Sequence, residues 1–392
     1  MKKLKFFIFI FLLSPFFLFI LLIRPFIFLR FGLLGTDRIG NILDYELYKI
    51  YRKKKSNNFE IFFTNKSICN YQYLKILKRN FFLLQKLEIF YLCLKIVAKY
   101  FPFFKKHLID VSGNTFDFEN KLNITETKLD LLPDEILKGK KILKQYNFNP
   151  NLKIVCITCR DKKYLKKTNK TNFGYHNYRD SNINNFIPAI KLLLKKKFIV
   201  IRMGKIVEKK LKINHKNFID YPFHPIKSDF MDFYLAKSCY LWIGSNTGLD
   251  ELARLFRKPL MVTNMAPVGI LKLGYRKSVF LTKKLKYKKK IIGLSIIFKK
   301  QLNFMTNSKD YKKKKIELKE NSSNEILNSL KNILMLIQNK WNISKKNFII
   351  QNKFRNSLFH NVKKHKLDYI YCRKPEAIIC SYFIKKNNWL LK

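Results

Sequence analysis

The chain has 392 residues, 47% of them hydrophobic and 15% aromatic, enough to bury sizeable cores and to exclude global disorder. Lys and Arg number 80 against 26 Asp and Glu, a formal net charge of +54. The cations are dispersed through Asn-, Ile- and Phe-rich sequence, and no zinc-finger, RRM, KH or helix-turn-helix signature stands out. This argues against nucleic acid as a partner and for a general compositional drift toward Lys, Asn, Ile and Phe, with attraction to an anionic membrane surface as its physical consequence.

Residues 1–29 open the chain with Lys2, Lys3 and Lys5 ahead of an almost wholly apolar run from Phe6 to Ile23. That pattern predicts a retained membrane anchor, since no small-residue cleavage site follows. Pro15 interrupts the run, and Arg52, Lys53, Lys54 and Lys55 follow close behind. The body is therefore expected on the cytoplasmic side, held by a hairpin or a monotopic insertion. A single span with the body outside, or a buried core helix, are the competing readings.

Residues 30–150 read as a first α/β domain. Phe26 to Leu34 supplies a strand, the polar loop Gly35-Thr36-Asp37-Arg38-Ile39-Gly40-Asn41 follows, and Ile42, Tyr45 and Tyr48 mark an amphipathic helix. Phe59 to Phe63 is a second strand, and residues 71–100 carry mixed helical periodicity. Pro133-Asp134-Glu135 begins a helix, and Asn147-Phe148-Asn149-Pro150 marks a turn and linker.

Residues 151–310 form a second α/β domain, and alternating strands and helices predict a parallel, doubly wound sheet. Strands are expected at Ile154 to Cys159, Phe198 to Arg202, from Tyr240, at Leu260-Met261-Val262 and at Ser278 to Leu281. Ser228 is expected to cap the helix through Leu235. Cys156 and Cys159 form a C-x-x-C, but residues three apart on a strand point to opposite faces, so they read as core thiols. No metal or cofactor set is evident at recognisable spacing. Residues 283–315 are Lys-rich and poorly patterned. Residues 311–392 read as a helical extension, with a helix starting at Ser322-Ser323-Asn324-Glu325.

Four clusters fall at expected strand ends of this second domain. After the strand at Tyr240, Gly244-Ser245-Asn246-Thr247-Gly248 gathers small residues and hydroxyls at a helix start, suited to phosphate or to an ordinary capped βα turn. Arg160-Asp161 follows the first strand, and a guanidinium fork matches phosphate oxygens. Arg202-Met203-Gly204-Lys205 places two cations around a glycine, allowing close approach to a diphosphate. Gly174-Tyr175-His176-Asn177-Tyr178-Arg179-Asp180 is rich in groups that handle protons or hydrogen-bond sugars, with a solvated, helix-capping loop as the plain alternative.

The stretch GYHNYRDSNINNFIPAIKLLLKKKFIVIRMGK, continuing through DYPFHPIKSDFMDFYLAKSCYLWIGSNTGLDELARLFRKP and VTNMAPVG, resembles an uncharacterised bacterial family of glycosyltransferases associated with surface-polysaccharide genes. The resemblance covers roughly Leu152 to Phe280, with looser echoes in TDRIGN and IICSYFIKKNNWLL. It implies a GT-B-like fold, two Rossmann-like domains with parallel sheets and the donor nucleotide mainly on the C-terminal one. In that light Ser245, Asn246, Thr247 and Gly248 form the diphosphate turn, and Arg160 and Arg202 neutralise donor phosphates. Asp250 or Glu251 reaches ribose hydroxyls, and the loop Asp37, Arg38, Gly40, Asn41 faces the acceptor. The family pattern has His where this chain has Thr158 and Asn41, which removes an imidazole base at both positions but keeps Arg160.

These readings converge on sugar transfer from a nucleotide-diphosphate sugar to a glycan or lipid-linked acceptor at a membrane. Arg160, Arg202, Lys205 and the Ser245 turn would stabilise the leaving diphosphate without a divalent metal, and no DxD pair is evident. Asp161, His176 and Asp180 are the candidate bases. The alternative is a non-catalytic, basic membrane-surface or glycan-binding protein on the same scaffold.

Overall fold

The computed structural model describes residues 11–52, 56–111, 117–149, 151–163, 173–365 and 374–391. The sequence readings on residues 1–10, 53–55 and 150 lie outside these. The chain divides into two units: residues 1–115 with 127–130, and residues 116–126 with 131–392.

In the first unit, β1 (Phe28–Leu34), β2 (Asn58–Thr64), β3 (Leu83–Leu84) and β4 (Leu108–Ile109) form a parallel sheet in the order β3-β2-β1-β4. β1 and β2 pair over their whole length, from Phe28 opposite Asn58 to Leu34 opposite Thr64. Parallel strands require crossovers, and the helices α1 (Ser14–Ile23), α2 (Ile42–Tyr51), α3 (Tyr71–Asn80) and α4 (Glu88–Tyr100) accompany the sheet. Asn70 caps α3 by accepting from the Tyr73 N–H at 2.9 Å.

Residues 1–10 of the expected anchor lie outside the described residues. Within the rest, α1 has ten residues, about 15 Å of helix at 1.5 Å per residue, half a hydrocarbon core. No helix among the described residues is long and apolar enough to cross a membrane. Phe17 and Ile20 are instead buried in a cluster with Phe31, Phe63, Leu94 and Phe104. Two such side chains contribute roughly 1.5–3 kcal/mol each, enough to hold the helix on its own domain.

The second unit carries a seven-stranded parallel sheet among the described residues. Its strands are β5 (Ile154–Ile157), β6 (Ile199–Arg202), β7 (Phe218–Asp220), β8 (Leu241–Gly244), β9 (Leu260–Met265), β10 (Ser278–Thr282) and β14 (Ile378–Ile379). Their order is β14-β10-β9-β8-β5-β6-β7. Chain order runs outward from β5 to β7 on one side and restarts with β8 on the other. This is the dinucleotide-binding order of a doubly wound sheet with one strand added. Every residue of β5, β6 and β8 is buried, as their continuous apolar runs require. A small antiparallel sheet joins β11 (Lys284–Tyr287), β12 (Lys290–Ile291) and β13 (Ile316–Lys319).

The helices of this unit are α5 (Pro133–Gln145), α6 (Ile187–Lys195), α7 (Asp229–Ser238), α8 (Asp250–Leu255), α9 (Leu294–Lys299), α10 (Ser308–Lys313), α11 (Ser323–Gln338), α12 (Lys345–Lys364) and α13 (Ser381–Lys386). Ser228 caps α7 through the Met231 N–H, and Ser322 with Glu325 forms the capping box of α11. The boundaries differ from the sequence reading in two places. α5 belongs to the second unit, where it packs on α7, so the division precedes residue 150. Residues 311–392 are no separate extension: Phe354, Leu358, Ile378, Phe383 and Leu390 bury into the same core as the sheet, and β14 closes its edge.

Candidate functional site

In a sheet of this order, ligands bind outside the carboxyl ends of the two strands where the order reverses. Here those strands are β5 and β8, and the residues that follow each are bonded together. The Arg160 backbone N–H donates to Ser245 Oγ at 2.7 Å, and Ser245 is fully buried. The Ser245 hydroxyl therefore fixes the position of Arg160, in addition to sitting in the expected diphosphate turn.

The turn is built around Asp250. Its Oδ1 accepts from Thr158 Oγ1 at 2.5 Å, Thr247 Oγ1 at 2.9 Å and Trp242 Nε1 at 3.0 Å, while Oδ2 accepts from the Thr247 N–H at 2.8 Å. Burial pushes the Asp250 carboxyl above its ordinary range, against the pull of these donors. Gly244 makes the approach possible, because a Cβ there would lie 2.4 Å from Asp250 Oδ2. The ribose role expected of Asp250 is thus replaced by a positioning role, since the carboxylate is buried and its acceptor sites are taken. Glu251 is engaged likewise, with Arg254 at 3.0 Å and with Lys272. Burial raises its pKa, but the two cations outweigh that and hold it below the usual range. Asn246 adopts a left-handed conformation (φ 61°), and Gly248 is exposed just ahead of α8.

Three cations meet at this edge. Arg160 Nε lies 3.4 Å from Asp180 Oδ1. The Arg179 guanidinium donates to the Asn246 carbonyl, and Lys283 Nζ donates to the Asp180 carbonyl at 2.5 Å. Burial pulls Arg160 down to about 10, and the neighbouring Arg179 adds to the shift. Burial likewise lowers Lys283. Burial raises Asp180 to about 6, although Arg160 and Lys283 oppose it. Desolvation thus dominates on both sides of the Arg160–Asp180 pair. Arg179 and Lys283 were not singled out from sequence: one sits inside a polar loop, the other among many lysines.

Arg202 does not join them. Its side chain is 1% exposed and donates to Asp220 Oδ1 at 3.0 Å and to the Lys209 carbonyl at 2.6 Å. The donor-phosphate role expected of Arg202 is corrected to a buried tie between β6 and β7. Gly204 takes φ +149°, a conformation that suits glycine, in the loop that follows. Lys205 Nζ lies 3.5 Å from Asp229 Oδ1 at the start of α7.

Of the other base candidates, Asp161 accepts the backbone N–H of Lys163 and of Glu208, both at 2.9 Å, and so anchors two loops. His176 packs its ring against Tyr175 at 4.0 Å, in a loop held by Ser308 through the Tyr175 carbonyl and the Tyr178 N–H. The two C-x-x-C thiols diverge, Cys156 to the Leu235 carbonyl and Cys159 to that of Ser181.

In the first unit, the loop from Asp37 to Asn41 leaves the carboxyl end of β1, where that sheet's order also reverses. Thr36 N–H donates to Asn65 Oδ1 at 2.6 Å, and Asn41 Nδ2 and the Tyr73 hydroxyl donate to the Gly35 carbonyl at 3.2 Å each. Asp37 and Arg38 pair loosely at 3.7 Å and are exposed. Gly40 lies in the short turn Ile39–Asn41.

No family model and no curated protein sequence matches this chain. Among solved structures it is similar to the ADP-heptose LPS heptosyltransferase II of E. coli, with 9% identity, a TM-score of 0.41, and coverage of 79% of this chain and 100% of that one. It is also similar to a family 9 glycosyl transferase of Veillonella parvula DSM 2008, with 8% identity, a TM-score of 0.44, and coverage of 79% and 98%. At such scores neither likeness informs the chemistry of this chain.

Proposed function

We propose that this chain is a glycosyltransferase that moves a sugar from a nucleotide-diphosphate donor to a glycan or lipid-linked acceptor. The observation that carries this reading is the convergence of Arg160, Arg179 and Lys283 at the strand-order reversal of the second unit. A departing nucleotide diphosphate gains negative charge, and fixed cations in a desolvated site stabilise it without reorganising. The same cations make a divalent metal dispensable in this reading, so turnover should persist in a chelator.

Asp180 is the base in this scheme. A carboxylate near pKa 6 is largely ionised at neutral pH yet basic enough to share the acceptor proton. When a donor phosphate takes over Arg160, Asp180 loses a partner and becomes more basic. The loop Asp37 to Asn41, exposed at Asp37 and Arg38, is proposed to meet the acceptor.

Thermal shift across a panel of nucleotide-diphosphate sugars tests the reading, because a ligand that binds only the folded state raises its melting temperature. The expected result is a shift for the native protein that Arg160→Ala removes. No shift with any nucleotide-diphosphate sugar, with glycan binding intact, would favour the non-catalytic alternative.

A further inference from the structure

The N-terminal helix leaves one face uncovered. Phe17 and Ile20 point into the first unit's core, whereas Phe11, Leu18 and Leu22 are 78%, 62% and 75% exposed. Leu18 and Leu22, four residues apart, share one face of α1 opposite Ile20, and Phe11 precedes the helix. Phe26, just past the helix, is 80% exposed. A second element lies nearby: Phe104, buried against Phe17 at 5.9 Å between ring centroids, stands next to Phe103 in sequence. Phe101 and Phe103 are both exposed. Apolar residues concentrated in this way mark an interaction surface rather than scattered surface hydrophobes.

The same elements carry exposed cations: Arg24 at the end of α1, Lys99 in the last turn of α4, and Lys105 and Lys106 in the turn that bears Phe103. An apolar face rimmed by positive charge complements one surface in particular, a bilayer with anionic headgroups. We infer that α1 lies in the membrane–water interface with Leu18 and Leu22 among the acyl chains. The helix docks the first unit to one leaflet without crossing it. Packing of Phe17 and Ile20 against the domain turns the opposite face of the helix, with Leu18 and Leu22, outward. The inference stands apart from the sugar-transfer reading, since it rests on none of the residues around Arg160.

The test uses the full chain with vesicles of phosphatidylcholine alone and with phosphatidylglycerol added. Native protein should co-sediment with the anionic vesicles and retain part of that binding in high salt, through its apolar contacts. The pair Leu18→Ser/Leu22→Ser should weaken partitioning by about tenfold or more, the scale of losing two buried leucines. The set Arg24→Gln/Lys105→Gln/Lys106→Gln should remove the preference for anionic lipid. In Leu18→Trp, lipids brominated near the headgroup should quench the new fluorophore more than lipids brominated at the chain ends. Strongest quenching from the chain ends would replace interfacial docking by a deeper insertion. Absence of vesicle binding, or loss of a lipid-free dimer in the serine pair, would overturn the inference, the latter because a second copy would then be the occupant.

Discussion

Ser245 Oγ receives the backbone N–H of Arg160 at 2.7 Å, a bond between residues 85 positions apart that ties β5 to β8 where the sheet order reverses. Around this tie, Arg160, Arg179 and Lys283 are the cations proposed to meet phosphate, while Ser245, Thr247 and Asp250 hold the geometry.

Arg179→Ala should weaken binding of a nucleoside diphosphate by about 10- to 100-fold, the range for loss of one hydrogen bond from a charged group. Isothermal titration calorimetry measures this directly. An affinity unchanged within twofold would remove Arg179 from the site.

Arg202→Ala should behave differently. Removing one partner of a buried ion pair leaves Asp220 desolvated and unpaired, at a cost of about 3–5 kcal/mol. Urea denaturation should show that loss. A variant of native stability that no longer binds donor would restore Arg202 to the phosphate site.

Asp250→Asn should destabilise the unit by ~1–3 kcal/mol, because the amide nitrogen takes the place of one accepting oxygen and faces the Trp242 or the Thr247 N–H, which can only donate. Donor affinity should fall with it as the turn loosens. Equal stability of variant and native protein would show that the carboxylate is not organising the turn.

Asp180 fixes the sign of the pH dependence. Its folded pKa of about 6 lies above its ordinary value, so the base is protonated, and lost, as pH falls through 6. The rate kcat/KM should drop tenfold per pH unit below that point, and Asp180→Asn should abolish the limb with a loss of roughly 10²–10⁴. An unchanged acid limb in the variant would assign it to another group.

Donor binding should also take up protons near pH 6.5. Phosphate charge beside Asp180 raises its pKa further, so part of the carboxylate population protonates on binding. Calorimetry in buffers of different ionisation enthalpy reads the number of protons. Proton release would mean that the phosphates sit away from Asp180.

The strands and caps of this fold were readable where the signal is local. Ile154–Ile157, Ile199–Arg202 and Leu241–Gly244 are apolar because both faces are buried, and Ser228 and Ser322 cap through bonds spanning three residues. The site was readable only in part. Arg202 closes a strand whether it meets a ligand or Asp220, and only the fold decides between them. Asp250 has the sequence context of a solvent-facing helix start, yet Thr158, 92 residues earlier, closes over it. Lys283 was hidden by a composition in which lysine is everywhere. The short strand Ile378–Ile379 leaves almost no pattern to detect.

That last strand has a consequence for how the protein is made. β14 sets Ile378 opposite Val279 of β10, so the sheet waits for a partner translated long after its other strands. Asn387 donates to Glu325, which also pairs with Lys284, and so locks the late segment to elements made earlier. A ribosome still sheltering these residues in its exit tunnel would hold a sheet whose flank, β10, is bare. Completion of this unit is therefore expected only once β14 has emerged, and cutting the chain ahead of Ile378 would uncover a sticky border.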